Sequence, residues 1–558
     1  MSSKKHFNPV IATTLLGLSM FFTGASGLVN EYILSTVSTY ILGSSIEQFS
    51  ITIAVMLGMM GIGGWCQKFV SDTNLIQKFI IIEILLSIIG SYSPIAIYAS
   101  FGYLENNFLL TYYFFVIGIG FLIGFEIPFI IRINQLYSKE LKTNLSVVMA
   151  ADYIGSFIGA LIWIYVLLPN FALTQISFLI TGANFLIAFL TFLYFVRFGF
   201  IHRKVSLFIV LFMTFIFLIY GYFNVKKWEV SLEQNLYEDP VQVSKTTKYQ
   251  HLTITHNKKI DEYRLYINGN IQFSSLDENR YHEQLVHPVM SLSSNHSKVL
   301  ILGGGDGMAI RELKKYKDIN SITLVDLDPG MVQFAKDNPI LSKINQNAFK
   351  DARIKVINSR AFSIEEVKDI YAAGDKKSTE KWVAQVDVIN VDADLFLHKL
   401  KEKNFDVVII DFPDPSSIEL AKLYSKQFFM KLKRILKHNA MIVIQATSPY
   451  HAKEAYLSIG RTMQAAGFNT LPFHDNVPSF GDWGWYLAWD SKTPNINVLK
   501  KINQLKIFEI ETSYLTPDVF RKALIFGKNE LKTSNTSINT LMNPTLFHIY
   551  TKNSWLDY

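Results

Sequence analysis

Long apolar segments dominate the first 225 residues of the chain. Each is long enough for a helix that crosses a bilayer, which takes about 20 residues, and they lie at 10–40, 49–66, 79–103, 108–131, 145–168, 171–196 and 205–223. The first is too long for the apolar core of a signal peptide and is followed by no small-residue cleavage pattern. The pattern therefore predicts a multispan membrane domain over 1–225, with the lipid bilayer as a partner.

Basic residues lie on only one side of these spans. The Lys and Arg residues that share this side are Lys4, Lys5, Lys68, Lys78, Arg132, Lys139, Lys142, Arg197, Arg203 and Lys204. The positive-inside rule then places the N-terminus in the cytoplasm, and seven spans would leave the rest of the chain outside. If the first segment were divided into two short pieces near Gly24 and Gly27, the number of crossings would be even and the residues after the last span would lie in the cytoplasm. Both topologies stay open on the sequence alone.

Four acids lie within the apolar segments, at Glu31, Glu83, Glu126 and Asp152. An ionisable group at membrane depth costs at least about 2.5 kcal/mol on insertion scales, so a functional site for a cation is one interpretation. The other is that these acids pair with Asn30, serines or Arg132 and fix helix packing.

The pattern changes after the last span. Residues 226–240 are polar, end at Pro240 and predict a linker. Alternation with period two then begins at Val241, and Asn268-Gly269 is a strong hairpin signal, so 241–295 is predicted to be a small antiparallel β domain that ends in a helix. Alternating apolar runs and helices over 296–490 predict a doubly wound, mostly parallel, Rossmann-like sheet of methyltransferase type, followed by a polar C-terminal extension over 491–558.

A glycine-rich turn opens this α/β domain. The apolar run 299–302 leads into Gly303, Gly305 and Gly307, a short helix and a second apolar run that ends at Asp326. Glycines let the backbone pass close to a ligand, and an acid about 20 residues further on can hold ribose hydroxyls. The segment predicts a nucleoside site.

Acids follow several strands of the predicted sheet. Asp306, Asp326, Asp392, Asp411 and Asp414 all fall at or near strand ends, which meet at one edge of a doubly wound sheet. Because buried carboxylates without partners are costly, this convergence predicts a positively charged ligand.

Composition narrows the functional classes. The net charge of +7 is spread through loops, which argues against a nucleic-acid partner. The single cysteine, Cys66, excludes an intrachain disulfide and a cysteine-based metal site, and we predict no metal.

The order of motifs resembles the spermidine synthases, the polyamine aminopropyltransferases. KYQHLTI, INGNIQFSSLDENRYHE, GGGDG, LVDLDP and FDVVIIDFPDP carry this resemblance over about 241–490, and GSSIEQFS and VPSFGDWGWYLA resemble its membrane-bound branch. The resemblance implies transfer of the aminopropyl group of decarboxylated S-adenosylmethionine to putrescine or a related amine. The products would be spermidine or a similar polyamine and methylthioadenosine. The decarboxylated nucleoside would be a co-substrate, with no prosthetic group.

The resemblance also implies residue roles. Asp411 would be the general base, and Tyr281 would orient the attacking amine. Residues implied to bind the amine or aminopropyl group are Asp414, Asp306, Gln272, His282 and Gln445. Residues implied to bind the nucleoside co-substrate are Gln250, Gly303, Gly305, Asp306, Gly307, Asp326, Asp392 and Ala393.

Several alternatives remain open. Each of four residues has a structural role as the alternative to its role in the site. Asp306 could stabilise the glycine turn, and Asp414 could cap the loop before Pro415. Gln272 could be a hairpin residue, and Tyr281 could pack in the core. The sequence also departs from the family pattern: Asp326 stands where Glu is usual, and Phe412-Pro413 stands between the two acids Asp411 and Asp414. Arg360 stands where an acid that binds the adenine is expected, so Asp392 is the preferred residue for that role.

The apolar segments predict a multi-pass protein of the cell membrane, and the implied reaction needs a cytosolic metabolite, so we expect the catalytic domain to face the cytoplasm. The resemblance further implies a homodimer or higher oligomer. Rival functions are an S-adenosylmethionine-dependent methyltransferase and a polyamine transporter or sensor.

Overall fold

The computed structural model describes residues 9–42, 45–103, 108–135, 141–350, 354–357, 385–400, 403–492 and 494–553. Its contacts divide the chain into two compact units, Met1–Val241 and Gln242–Tyr558.

The first unit is helical. Its helices are α1 Pro9–Leu42, α2 Ser45–Cys66, α3 Leu75–Tyr103, α4 Phe108–Gln135, α5 Leu141–Ile162, α6 Leu173–Val196 and α7 Lys204–Gln234. After α5, Trp163–Leu167 is π-helical and Leu168–Asn170 helical. Within the described ranges, seven helices are long and apolar enough to cross a membrane. The last helix, α7, continues to Gln234 and so includes much of 226–240, the segment predicted to be a linker.

The first apolar segment is one continuous helix, so the alternative in which it divides into two pieces is wrong. Gly24 and Gly27 do not break the helix, and Gly24 lies where α5 approaches. A Cβ atom on Gly24 would lie 2.4 Å from the backbone oxygen of Asp152, and one on Gly155 would lie 1.9 Å from that of Phe21. Small residues at such contacts are typical of membrane helix pairs.

Two of the four acids in the long apolar helices are fully enclosed. Glu83 is 0% exposed and Glu126 is 1% exposed. Among the described residues, neither carboxylate oxygen of Glu83 has a hydrogen-bond partner, and neither does Oε1 of Glu126. Arg132 donates to the side chains of Asp72 and Gln67 instead, so the alternative in which Arg132 pairs with these acids is wrong for Glu83 and Glu126.

The second unit begins with a four-stranded sheet. Its strands are β1 Val241–Thr246, β2 His251–Asn257, β3 Glu262–Ile267 and β4 Asn270–Ser274, in that order. Asn268 and Gly269 both have positive φ, 49° and 81°, which is the backbone of a type I′ hairpin. The predicted hairpin is confirmed. Helix α8, Glu278–Leu292, follows.

An eight-stranded sheet forms the rest of the core. Its strands are β5 Lys298–Gly303, β6 Ser321–Asp326, β7 Ile354–Ile357, β8 Gln385–Asn390, β9 Phe405–Asp411, β10 Leu436–Gln445, β11 Phe468–Val477 and β12 Gly481–Asp490. The order is β11-β12-β10-β9-β5-β6-β8-β7, parallel from β10 to β7 and antiparallel in the two pairings of β12. The predicted fold class is confirmed.

Strand order reverses at β5, which pairs with β6 on one side and with β9 on the other. In open α/β sheets the ligand crevice lies outside the carboxyl ends of the strands at this point. Gly303, Asp326 and Asp411 end these three strands.

Helices cover both faces of the large sheet. They are α9 Met308–Leu313, α10 Pro329–Asp337, α11 Pro339–Ile344, α12 Ala393–Lys399, α13 Ile418–Ala421, α14 Lys426–Ile435, α15 Lys453–Ala465, α16 Asn495–Gln504, α17 Pro517–Ala523 and α18 Thr545–Asn553. Arg360 lies outside the described residues.

The segment predicted to be a polar extension packs on the sheet domain. The Glu283 carboxylate on α8 accepts hydrogen bonds from the backbone N–H groups of Ser513, Tyr514 and Leu515 at 2.6, 2.9 and 2.7 Å. Leu546 on α18 is fully buried. The extension is therefore part of the folded domain.

Candidate active site

The glycine turn is fitted tightly to its neighbours. Gly303 has a φ of +83°, and a Cβ atom on it would lie 2.1 Å from the backbone oxygen of Asp411. The N–H of Gly305 donates to Oδ2 of Asp326 at 3.0 Å, and a Cβ atom on Gly305 would lie 2.6 Å from that oxygen. The turn, the end of β6 and the end of β9 therefore form one rim.

Asp326 lies at the end of β6 and its two oxygens accept backbone N–H groups. Besides Gly305, the N–H of Asp328 donates to Oδ1 at 2.8 Å. Burial is the main cause that raises the pKa of Asp326 to about 7, and the charges of Asp328 and Asp306 add to it. A hydroxyl donor that reaches this carboxylate would favour its ionised form.

Asp411 and Tyr281 are in direct contact. The Tyr281 hydroxyl donates to Oδ1 of Asp411 at 2.6 Å. Burial, with the nearby charge of Asp306, raises the pKa of Asp411 to about 6. The Tyr281 ring also packs at 5.5 Å from the Trp485 ring, so core packing and the contact with Asp411 occur together.

His282 connects the acids to a buried ion pair. Its Nδ1 lies 2.9 Å from both the backbone oxygen and Oε2 of Glu278, which assigns a proton to Nδ1 because both partners are acceptors. Its Nε2 lies 4.0 Å from Oδ2 of Asp306. Burial acts to lower the pKa of His282, but the hydrogen bond and charge of Glu278, with the charges of two aspartates, raise it. Glu278 is held in turn by both terminal nitrogens of Arg311, at 2.7 and 2.8 Å.

Asp306 has two roles in the structure. Its Oδ1 accepts the N–H of Met308 at 2.9 Å, which is the turn role considered above. Its Oδ2 faces His282, and its charge reaches Asp411. One oxygen therefore stabilises the turn while the other contributes to the acidic cluster.

Asp414 is surrounded by neutral donors. Oδ2 accepts the Tyr550 hydroxyl at 2.8 Å and the Thr447 hydroxyl at 3.3 Å, and Oδ1 accepts Nε2 of Gln445 at 3.4 Å. Burial raises the pKa of Asp414 to about 6, and these three hydrogen bonds oppose that rise. Gln445 also donates to the backbone oxygen of Phe412 and to the Tyr424 hydroxyl.

Other predicted site residues have local contacts. Nε2 of Gln272 donates to backbone oxygens of its own strand, both at 3.3 Å, and the backbone of Gln250 bonds Thr247. Asp392 accepts the N–H of Leu395 at 2.9 Å and pairs with Nζ of Lys422 at 2.9 Å, and Ala393 is the first residue of the helix that Asp392 caps. Their roles in binding stay predictions.

A second cluster of ionisable side chains lies on α8 and α9. Glu283, His287 and Glu312 could in principle converge on a metal ion. However, Glu283 accepts the three backbone N–H groups of the extension, and Glu312 bonds Arg311, Lys315 and His287 at 2.6–2.9 Å. These contacts describe a structural ion-pair network.

Two residues of this site, Thr447 and Tyr550, are not among the predicted site residues. Thr447 follows the end of β10 and has a positive φ of 61°, and the strand-end rule could have found it. Tyr550 lies 136 positions from Asp414, and nothing local in its surroundings marks it.

Comparison with known proteins gives the family. A family model described as the spermine/spermidine synthase domain matches residues 278–373 and 375–500. The chain is 35% identical over 545 residues to polyamine aminopropyltransferase 2 of Aquifex aeolicus, covering 97% of this chain and 99% of that one. It is 37% identical over 480 residues to the polyamine aminopropyltransferase of Leptospira interrogans, covering 85% and 87%. The chain belongs to the polyamine aminopropyltransferase family. Among solved structures, spermidine synthase from Thermotoga maritima is similar with a TM-score of 0.42 and 22% identity over 52% of this chain and 87% of that one.

The acidic cluster lies within the family domain. Tyr281, Asp306, Asp326, Asp411 and Asp414 all fall in the matched ranges. Those ranges stop at 500, so the helix that carries Tyr550 lies beyond the matched spermine/spermidine synthase domain.

Proposed function

We propose that this chain transfers the aminopropyl group of decarboxylated S-adenosylmethionine to putrescine or a related diamine. The observation that carries the proposal is the half-buried cluster of Asp306, Asp411 and Asp414 beside the glycine turn, with Tyr281 bonded to Asp411. The family membership supports the same reaction. Raised pKa values such as those of Asp411 and Asp414 are typical of acids in catalytic centres.

The reaction joins an amine nitrogen to the carbon next to a sulfonium. As the N–C bond forms, the C–S bond breaks and its electron pair returns to sulfur, which leaves as the neutral thioether methylthioadenosine. An alkyl ammonium with a pKa near 10, like that of lysine at about 10.4, has no free electron pair at neutral pH. A base must therefore take one proton from the attacking nitrogen.

Asp411 is positioned to take this proton. Its Oδ1 is fixed by the Tyr281 hydroxyl, so Oδ2 is the oxygen available to the amine. Its pKa of about 6 keeps it ionised at neutral pH while making it a better base than an ordinary aspartate. Tyr281, on helix α8, holds the carboxylate in one orientation.

Asp306 would select the decarboxylated co-substrate. Its Oδ2 faces the site beside His282, where it can accept the ammonium at the end of the aminopropyl chain. The carboxylate of intact S-adenosylmethionine would be repelled at the same position. Asp326 would receive the ribose, and the glycine turn would lie against the nucleoside. Asp414 would hold the second ammonium of the diamine.

The test is product analysis with the purified full-length protein, the decarboxylated co-substrate and a panel of amines, each product identified by mass. Wild type should form methylthioadenosine and one new polyamine in equal amounts. Asp411→Asn preserves shape but removes the base, and we expect kcat to fall about 10²–10⁴-fold. The matched control is Asp318→Asn, an acid-to-amide change at a largely exposed side chain outside the site. Equal activity of Asp411→Asn and the control would refute the assignment.

A methyltransferase is the rival on the same fold. It would use intact S-adenosylmethionine and release S-adenosylhomocysteine. Binding of the two nucleosides, measured by calorimetry with wild type and Asp306→Asn, separates the two functions. Our proposal requires preference for the decarboxylated form in wild type and a reduced preference in Asp306→Asn.

A second candidate function is favoured by the membrane helices. Glu83 and Glu126 are buried, and both carboxylate oxygens of Glu83 and Oε1 of Glu126 lack hydrogen-bond partners among the described residues. Such acids are functional by default in membrane segments. They suit cation binding, so the helical unit would carry or sense an amine. In vesicles that contain the full protein, Glu126→Gln should abolish amine uptake while aminopropyl transfer stays unchanged. Uptake equal to wild type would refute this function.

We infer that the catalytic unit faces the cytoplasm, where both substrates are made. The basic residues beside the spans favour the opposite side when seven described helices cross. Protease protection in right-side-out vesicles decides the orientation, because a cytoplasmic catalytic unit stays intact. Assembly into a dimer or higher oligomer stays a prediction, and light scattering of the detergent-solubilised protein tests it.

A further inference from the structure

The last described helix, α18, is fixed to the segment that follows Asp414. Nδ2 of Asn539 donates to the backbone oxygen of Ala421 at 2.7 Å, at the end of α13. Oδ1 of the same Asn539 accepts the N–H of Leu546 at 3.3 Å, and the Leu546 side chain is fully buried. One asparagine therefore joins the active-site segment to the start of α18.

This attachment brings Tyr550 to the predicted amine anchor. The Tyr550 hydroxyl donates to Oδ2 of Asp414 at 2.8 Å, and Thr447 donates to the same oxygen at 3.3 Å. The described donor on Oδ1 is Gln445 at 3.4 Å, which is long for a hydrogen bond. Because a carboxylate offers about four acceptor positions, Oδ1 keeps the greater capacity for an ammonium.

We propose that Tyr550 is a positioning residue for the acceptor: its hydroxyl orients Asp414 so that Oδ1 receives the distal ammonium of a diamine. This inference rests on the proposed aminopropyl transfer. It assigns to the C-terminal helix, outside the family domain, a part in acceptor choice. A monoamine has no second charge for Asp414, so it can serve as the reference acceptor against a diamine.

Removing the hydroxyl should weaken binding of the diamine. Hydrogen bonds to a charged group are worth more than neutral ones, and the loss of one corresponds to an increase in the acceptor KM of about ten- to a hundredfold. The bond is made to Asp414 and not to the reacting atoms, so kcat at saturating diamine should change less than about threefold. The KM for the nucleoside co-substrate should stay the same.

The pH dependence should shift in a defined direction. The titratable groups that interact with Asp414 are the hydroxyls of Tyr281, Tyr424 and Tyr550, and the Asp411 carboxyl lies three residues before it. The Tyr550 hydrogen bond favours the ionised form of Asp414. As the pH falls, protonation of Asp414 should raise the KM for the diamine. In Tyr550→Phe this increase in KM should begin at a higher pH than in wild type, because the pKa of Asp414 is raised further.

The experiment compares full-length wild type, Tyr550→Phe and Tyr514→Phe. Tyr514 is a matched control because its hydroxyl, also in the C-terminal extension, donates to a different acid, Asp475, at 2.8 Å. Each protein is assayed with a diamine and with the monoamine of equal chain length, from pH 6 to 9. We expect Tyr550→Phe to lose most of the discrimination between the two amines, and Tyr514→Phe to retain it.

Several results would overturn the inference: unchanged discrimination in Tyr550→Phe, an equal effect of Tyr514→Phe, or an equal rise in the co-substrate KM. If Tyr550→Phe does not fold, Thr447→Val removes the other donor from the same oxygen and should give a smaller effect in the same direction. Failure of the proposed function is distinct, because wild type would then form no polyamine with either amine.

Discussion

Acidification from pH 7 to pH 5 should remove aminopropyl transfer before it affects the fold. Two acids must be ionised in the free enzyme, Asp411 to take a proton and Asp414 to hold the diamine, and burial raises the pKa of each to about 6. Each would be about 90% ionised at pH 7 and about 10% ionised at pH 5, by simple titration. If both are required, the active fraction falls about a hundredfold.

Neither the substrate nor the fold should produce this fall. The amine, with a pKa near 10, stays protonated throughout. The folded protein binds more protons than the unfolded chain at Asp326, Asp411 and Asp414 because their pKa values are raised, so these groups favour the folded state as the pH falls through 6. The pKa of Glu312 is lowered by His287 and Arg311 despite burial, and its contribution to stability is lost only below the ordinary carboxyl range.

The assay is kcat/KM for the diamine at saturating co-substrate from pH 5 to 8, with methylthioadenosine measured by chromatography. The quantity kcat/KM reports the free enzyme. For wild type, a plot of log(kcat/KM) against pH should approach a slope of two on the acid side, because two protons bind. Asp414→Asn should be less active and approach a slope of one. Full recovery on return to pH 7.5 controls for unfolding. A slope of one in wild type, or a flat profile to pH 5, would refute the requirement for both acids.

Two other changes test the nucleoside side and the support of the site. Gly305→Ala places a methyl group 2.6 Å from Oδ2 of Asp326, so the co-substrate KM should rise at least about tenfold with little change in the diamine KM. The control is Gly58→Ala, where no heavy atom of a neighbouring described residue lies within 4 Å of the added methyl group. An unchanged co-substrate KM in Gly305→Ala would contradict the predicted ribose site. Glu278→Gln removes one of the two buried carboxylates that pair with the Arg311 guanidinium, and Glu312 keeps the other. Loss of one partner of a buried pair costs about 3–5 kcal/mol when no second partner remains, so chemical denaturation should show a loss of free energy of unfolding up to that size, and a loss below about 1 kcal/mol would contradict the prediction.

The fold of the catalytic unit could be predicted because its signals are local. The hairpin at Asn268-Gly269 and the strands that end at Gly303, Asp326 and Asp411 depend on residues next to one another in sequence. The convergence of acids followed from one general property of parallel sheets, that their carboxyl ends share an edge.

The features that the sequence did not indicate depend on contacts between distant segments. The contact of Tyr550 with Asp414 is made by a helix whose position depends on Asn539. Likewise, Gly24 in α1 is explained by the approach of Asp152 on α5 and not by a break in the helix. Neither partner can be identified from the residues beside it.

Helix α8 is held by side-chain contacts at residues that precede and follow its two active-site residues in sequence. Glu278 binds Arg311, Glu283 binds the backbone of 513–515, and Tyr281 and His282 lie between them. A shift by one residue would turn every side chain by about 100° and break both attachments together. Natural or engineered changes in amine preference should therefore accumulate in 412–417 and 545–553 and spare this helix, and a mutant library restricted to those two stretches should yield more enzymes with altered acceptors than one of equal size spread over 278–292.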